Sequence, residues 1–336
     1  MMTHALKTVL VMAFLATLNL AEGRAQEADE PTTTDGSVQS QPADDDVFEL
    51  DPALAFEAFL AGNHARALDL AITFAGRGDI PSMRLLGQLY QNGIGITRDA
   101  EEAAAWYQLA AEAGDPEAQV LLATMKLDGV DIELDETGAA KLLREAQLGG
   151  SVEAKQMLGM LMLEGRGVDR DIPRAARMIS EAADAGNPAA QYTLGVLYEE
   201  GLGVLQDSES AYIWYERAAR GGDSEAQVVF ALGIISGIAS DPELSDELNI
   251  ENAIFWLRRA AEAGNPIAEN RLAHAYAQGL GVPLDPVQAA YFHARAVSGG
   301  LTDAALDSFV GSLTDEQRSA AQSLIARDNA PPNPFD

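Results

Sequence analysis

The feature that most constrains this chain is its self-similarity. From Pro188 to Asp223 it reads PAAQYTLGVLYEEGLGVLQDSESAYIWYERAARGGD, and Gly165-Arg166-Gly167-Val168 lies 36 residues before the matching Gly201-Leu202-Gly203-Val204. Each copy predicts two helices. The first carries Ala190, Leu194, Gly195, Leu197 and Tyr198. The second opens at Asp207, carries Ala211, Trp214, Tyr215, Ala218 and Ala219, and ends at Gly221-Gly222. One such pair cannot bury its apolar faces alone, so it is stable only when stacked on neighbours. Units in phase run Ile80–Asp115, Pro116–Ser151, Val152–Asn187, Pro188–Asp223, a stretched Ser224–Asn265, and Pro266–Leu301. The fold class is therefore all-α, a solenoid of helix-turn-helix repeats that grows by addition.

Local chemistry supports the phase. Asp99, Asp135, Asp171, Asp207 and Asp285 stand just before the second helices, where a carboxylate accepts orphan backbone N–H groups. Asp99 with Glu102 predicts a capping box. Asp115-Pro116, Asn187-Pro188 and Asn265-Pro266 open first helices with a cap and Pro at N1. Ala118, Ala154, Ala190, Ala226 and Ala268 are small enough for helices to approach closely.

The pattern Ala-x-x-x-Leu-Gly-x-Leu-Tyr-x-x-Gly-x-Gly-Val-x-x-Asp-x-x-x-Ala-x-x-Trp-Tyr-x-x-Ala-Ala resembles the Sel1-like repeat family, a relative of tetratricopeptide repeats, over roughly residues 80 to 301. The resemblance implies an α/α superhelix that scaffolds protein–protein contacts. Similar proteins act in envelope signalling, polysaccharide export and host contact. Cysteine-rich relatives described as β-lactamases crosslink each helix pair by a disulfide, and this chain has no Cys.

The flanks differ from the repeats. Residues 1–25 read as a signal peptide, with the apolar run TVLVMAFLATLNL and a cut after Ala25; the run is short for a membrane span. Residues 26–47 form an acidic, apolar-poor segment expected to be disordered, within which Asp44-Asp45-Asp46 is a weak candidate for a hard cation. The solenoid is expected over 48–313, beginning with a degenerate unit at Phe48–Gly78. Thr314-Asp315-Glu316-Gln317 predicts a capping box that opens a polar C-terminal helix over 314–328, and 329–336 is a proline-rich tail. The expected location is periplasmic, or alternatively secreted.

Composition narrows the chemistry. With 52 Asp and Glu against 22 Lys and Arg, the chain carries a net charge of −30, which repels nucleic acid and anionic lipid head groups. Absent cysteine removes disulfides, thiolate metal sites and thiol nucleophiles. No Gly-x-Ser-x-Gly, Ser-x-x-Lys or His-Glu-x-x-His occurs, and His64, His274 and His293 have no third ligand at metal spacing. The Gly-x-Gly turns follow helices and precede a capping Asp that would repel phosphate, so they are not nucleotide loops. Trp106, Trp214 and Trp256 share one repeat position with Leu142, Met178 and Phe292, which marks helix packing. The expectation is a non-enzymatic monomer without cofactor or metal. Its partner would be an envelope or periplasmic protein or peptide, favoured by basic residues. A β-lactamase-like hydrolase and a structural spacer are the alternatives.

One stripe points to a groove. If the first helices line the concave face, Val120, Leu127, Met160, Leu163, Tyr192, Val196, Val228 and Leu232 recur in phase on it, with Thr124, Gln156 and Ile235. Exposed apolar surface of that extent usually binds something, and Tyr192 is the expected anchor. The stretched unit adds Ile238–Ile250, where Gly-x-Gly-Val is lost and Trp214 and Trp256 stand 42 residues apart. Insertions of this kind map to loops on one face.

Overall fold

The computed structural model describes residues 51–328. The expected signal peptide, acidic linker and proline-rich tail lie outside the described residues. Among those described are sixteen α-helices and no strand. They are α1 (Ala53–Leu60), α2 (His64–Ala75), α3 (Ile80–Asn92), α4 (Ala100–Glu112), α5 (Pro116–Asp128), α6 (Glu136–Leu148), α7 (Val152–Glu164) and α8 (Ile172–Asp184). There follow α9 (Pro188–Glu200), α10 (Ser208–Arg220), α11 (Ser224–Ile235), α12 (Asp246–Glu262), α13 (Pro266–Gln278), α14 (Pro286–Ser298), α15 (Ala304–Ser312) and α16 (Asp315–Asp328). Each odd-numbered helix through α13 is the first of a pair. The chain forms two compact units, one ending at Met178 and the other beginning at Ile179. Within each, helices pack in pairs and each pair packs on the next, as in α3 with α4 and α4 with α5, or α9 with α10 and α10 with α11.

The caps are those the sequence asks for. Asp99, Asp135, Asp207 and Asp285 each accept backbone N–H bonds at the start of their helix, and Asp171 accepts from Arg174 N–H at 3.0 Å. The reciprocal half of the Asp99 box does not form. The Asp99 N–H instead donates to the Tyr90 carbonyl at 2.9 Å, and Asp135, Asp207 and Asp285 donate in the same way to Lys126, Tyr198 and Tyr276. A cap that already satisfies the preceding helix's orphan carbonyl has no free donor for a glutamate. Thr314 lacks such a partner, and its box with Gln317 closes in both directions at 3.0 and 3.2 Å.

Close packing rests on one pair of positions. An ideal Cβ on Gly87 would lie 2.3 Å from Tyr107 Cε1, and one on Gly195 would lie 2.5 Å from Tyr215 Cε1. Glycine here makes room for a fully buried tyrosine on the second helix. Other pairs fill the same positions with alanine and a shorter side chain, Ala123 with Leu143 and Ala231 with Leu257, all fully buried. In these four pairs the small residue and its partner change together, which keeps the filled volume similar; Gly159 with Ile179 and Ala273 with His293 depart from the exchange.

Candidate interaction surfaces

Recurring polar side chains inside the stack serve the backbone. Gln119 Nε2 donates to the Ala111 carbonyl at 3.1 Å, and Gln227 Nε2 donates to the Ala219 carbonyl at the same distance. Each bond latches a first helix to the end of the second helix before it. The buried hydroxyls of Tyr107 and Tyr215 donate to Gln91 Oε1 at 2.8 Å and Glu199 Oε2 at 2.7 Å. Burial pushes both phenols well above the usual tyrosine range. In the last pair the glutamine position holds Glu269, buried, and Arg295 takes over both tasks. Its Nε bonds Glu269 Oε1 at 2.6 Å and its Nη2 donates to the Ala261 carbonyl at 3.1 Å. Desolvation raises the Glu269 carboxyl against the guanidinium that holds it down.

The apolar stripe is filled by packing. Val120, Leu127, Met160 and Leu163 are buried in the first unit, and Tyr192, Val196 and Val228 in the second; only Leu232 is half-exposed. The expectation of an open groove along these eight side chains is therefore corrected. Tyr192, the expected anchor, is 4 % exposed and packs its ring 5.6 Å from that of Tyr215. The reason was visible in the first helices. In α7 every residue from Leu158 to Leu163 is buried, and in α9 every residue from Tyr192 to Leu197. A helix that is apolar all round is enclosed on all sides, so its stripe is core.

The turn edge of the first unit is bridged by cations. Arg98 pairs with Asp131 of the next turn and donates from Nε to the Gln91 carbonyl at 3.0 Å. Arg166 reaches Glu136 at 2.7 Å and Glu164 at 3.3 Å. Arg170 donates to the Leu163 carbonyl at 2.9 Å, and Lys126 bonds Asp135 at 2.8 Å. The turns also touch directly. A Cβ on Gly167 would sit 2.1 Å from the Glu136 carbonyl oxygen, so the second glycine of the motif admits the neighbouring helix start.

The second unit's turn edge is built from other side chains: no Lys, Arg or His occurs within 201–207, 236–245 or 279–285. Gln206 stands where Arg98 and Arg170 stand; it donates to the Glu199 carbonyl at 2.8 Å, as Arg170 does to the Leu163 carbonyl, and carries no charge to cross to the next turn. Leu284 holds the same position two repeats later, beyond the stretched unit. Leu205 is 89 % exposed, Leu284 64 % and Ile238 61 %, with Leu244, Leu248 and Leu280 also exposed. The stretched connection between α11 and α12 is nonetheless built. The buried Asn249 side chain accepts from Asp241 N–H at 2.8 Å and donates to the Asp241 carbonyl at 3.0 Å. Part of the insertion is absorbed by α12, which has 17 residues where α10 has 13.

A family model for the Sel1 repeat matches residues 80–115, 116–150, 152–187, 188–223, 246–265 and 266–301. The chain belongs to the Sel1 repeat family. Among solved structures, a Sel1 repeat protein from Oxalobacter formigenes is 28 % identical, with a TM-score of 0.64 over 78 % of this chain and 75 % of that one. A protective antigen of uropathogenic Escherichia coli with the same fold type is 25 % identical, covering 83 % of this chain and 71 % of that one at a TM-score of 0.49. None of the curated proteins compared with the chain matches it significantly. The Sel1 repeats locate the departure seen in the structure. The match lapses between 223 and 246, the stretch that includes α11 and the rebuilt connection.

The last Sel1 repeat pair makes two His–Asp contacts to the helix that follows it. His274 Nε2 lies 2.7 Å from Asp303 Oδ2, with Asn270 donating to the same oxygen at 3.0 Å, and His293 Nε2 lies 2.8 Å from Asp307 Oδ1. They fasten α15 to α13 and α14. The hydrogen bonds of Asn270 and His274 hold the Asp303 carboxyl well below the usual range. A shallow cleft of about 360 Å³ in the first unit is lined by Lys126, Lys141, Glu112 and Glu145 among others. Among the described residues, no group of three or more His, Asp or Glu is placed to hold a metal ion. Sequence reasoning missed the glutamine latches and the arginine bridges. The signal for both was there: Gln119, Gln191 and Gln227, like Arg98 and Arg170, recur in phase with the apolar positions.

Proposed function

We propose that this Sel1 repeat protein is a non-enzymatic scaffold that is exported, loses residues 1–25 after Ala25, and binds an envelope or periplasmic protein or peptide. The scaffold role is what a Sel1 repeat solenoid suggests. The observation that carries the reading is the use of the recurring polar side chains. Asp caps, Gln latches and Tyr hydroxyls are all engaged with the protein's own backbone or side chains, so what the repeats present outward is surface. The sequence of residues 1–25 supports export. No described helix is long and apolar enough to cross a membrane.

Crosslinked capture from a periplasmic extract tests the scaffold role, and the expected result is one defined envelope protein enriched over an unrelated acidic control. An empty capture under these conditions overturns it. Mass spectrometry of the exported protein should give Gln26 as the first residue, and an N-terminus retaining Leu10 overturns the cut. Hydrolysis of nitrocefin above the buffer rate would replace the scaffold reading with the hydrolase one.

A further inference from the structure

We propose that the turn edge of the second unit docks a polypeptide segment in which aliphatic side chains alternate with Lys or Arg. The inference rests on the scaffold reading and names the partner's chemistry.

The edge is continuous by construction. Within the second unit α9 packs on α10, α11 on α12 and α13 on α14, and successive pairs pack on each other. Short connections make neighbouring helices run in opposite directions, so the turns 201–207, 236–245 and 279–285 share one end of the stack. They also touch. A Cβ on Gly281 would lie 2.6 Å from Ile250 Cγ2, so the last turn rests on the start of α12. Along this end Leu205, Ile238, Leu244, Leu248, Leu280 and Leu284 face solvent. At the opposite end of the same unit the connections 221–223 and 263–265 consist of Gly, Asp, Ala and Asn, and the last one, near 299–303, adds the half-buried Leu301 beside the exposed Val297. Scattered exposed leucines are ordinary; six gathered on one end of one unit form a patch.

Charge selects the occupant. No Lys, Arg or His occurs between Arg220 and Arg258, or within 201–207 and 279–285. Asp241, Glu243, Asp246 and Glu247 are exposed among the leucines and isoleucine. A second copy of this chain would bring carboxylates against carboxylates, and an anionic bilayer would be repelled for the same reason. A segment with both aliphatic and cationic side chains satisfies the leucines and the carboxylates together. The Asn249 bonds fix the connection before the partner arrives, which lowers the ordering cost of binding.

The test uses the full chain and a fluorescent synthetic peptide of alternating Leu and Lys, read by anisotropy at low and at moderate salt. Comparison peptides replace Leu by Ser, or Lys by Glu. The edge variant combines Leu205→Ser, Leu244→Ser and Leu284→Arg. Arg is accommodated at that position in earlier turns, where Arg98 and Arg170 stand, and circular dichroism checks the fold. A control variant carries Val130→Ser and Leu134→Ser, the exposed aliphatics of one first-unit turn.

The expected result is about tenfold weaker binding of the Leu–Lys peptide by the edge variant. The control variant should keep wild-type affinity, and both comparison peptides should bind poorly. The proposal is overturned if the edge variant binds as the wild type does, if the Ser–Lys peptide binds equally, or if the wild type fails to bind. A wild-type dimer that becomes monomeric in the edge variant also overturns it, because the occupant is then a second copy. Should the edge variant not fold, hydrogen exchange on the wild type decides. Peptide-dependent protection at 236–248 supports the edge, and its absence sinks it. The two readings fail separately. Equal envelope-protein capture by wild type and edge variant leaves the scaffold standing without this edge, whereas capture by neither removes the scaffold itself.

Discussion

The two units follow the same repeat and treat the same edge differently: the first exposes Val130 and Leu134 in one turn, the latter at the arginine position, but crosses its turns with cations. In the first, Arg98 crosses to Asp131, Arg166 to Glu136, and Lys126 to Asp135, so each turn is tied within its pair or to the next. In the second, Gln206 and Leu284 stand at the arginine position, and leucines face solvent. Its pair to a buried carboxylate lies elsewhere, at the C-terminal end, where Arg295 meets Glu269. The difference teaches that stacking does not depend on the turn edge. Helix faces, caps and latches hold both units, so the edge is free to carry bridges in one and apolar surface in the other.

The largest effect that probes this contrast is expected at Arg295. Its removal strands the Glu269 carboxylate, 4 % exposed on its side chain, and leaves the Ala261 carbonyl without its donor. Arg295→Ala should cost about 3–5 kcal/mol, read from urea unfolding. Adding Glu269→Gln should recover much of that loss, because Gln119 and Gln227 already make the same latch to the equivalent carbonyls. A double variant no more stable than Arg295→Ala alone would show that the positions are not equivalent.

A smaller loss is expected at the bridged edge. Arg166 and Glu136 are each about one-third exposed on their side chains, so water screens the pair. Arg166→Gln should lower stability by about 0.5–1 kcal/mol. A loss as large as that of Arg295→Ala would mean that the first unit does depend on its edge, and the contrast between the units would then be one of stability as well as surface.

The remaining effect has the opposite sign. Burial pushes the Asp223 carboxyl up to about 6, against the bond from Ala226 N–H that lowers it. A carboxyl raised in the folded state favours folding when protonated, so its contribution is lost as pH climbs from about 4 to 6. Asn187 and Asn265 fill the same cap in neighbouring repeats. Asp223→Asn should therefore raise the Tm at pH 7, with the gain vanishing near pH 4. A gain that persists at pH 4 would assign the effect to something other than the charge.

Much of the fold was legible because local and global signals coincide. The Asp caps, Asn-Pro starts and small Ala positions are short-range features repeated in phase, and the helices open where they indicate. The stripe was misread because periodicity was weighed without the residues between. Tyr192 and Val196 fit an exposed face when taken alone, but Thr193, Leu194, Gly195 and Leu197 show that α9 has hardly an outward side. The exposed leucines of the second unit could not be ranked from sequence. Leu205 and Leu194 are the same residue type, and only the three-dimensional turn puts one in water and the other in the core.

The matched pairings at one contact, Gly with Tyr in two repeats and Ala with Leu in two others, bear on how such arrays can be shuffled. Exchange between repeats that breaks at a unit boundary keeps each small residue with its own partner. Exchange that breaks inside a unit creates hybrids. Ala231 in place of Gly195 would meet the ring of Tyr215, and Gly195 in place of Ala231 would leave Leu257 facing a void. At these contacts the pairing acts as a splice rule: whole helix pairs are interchangeable parts, and halves taken from a Gly–Tyr and an Ala–Leu repeat are not.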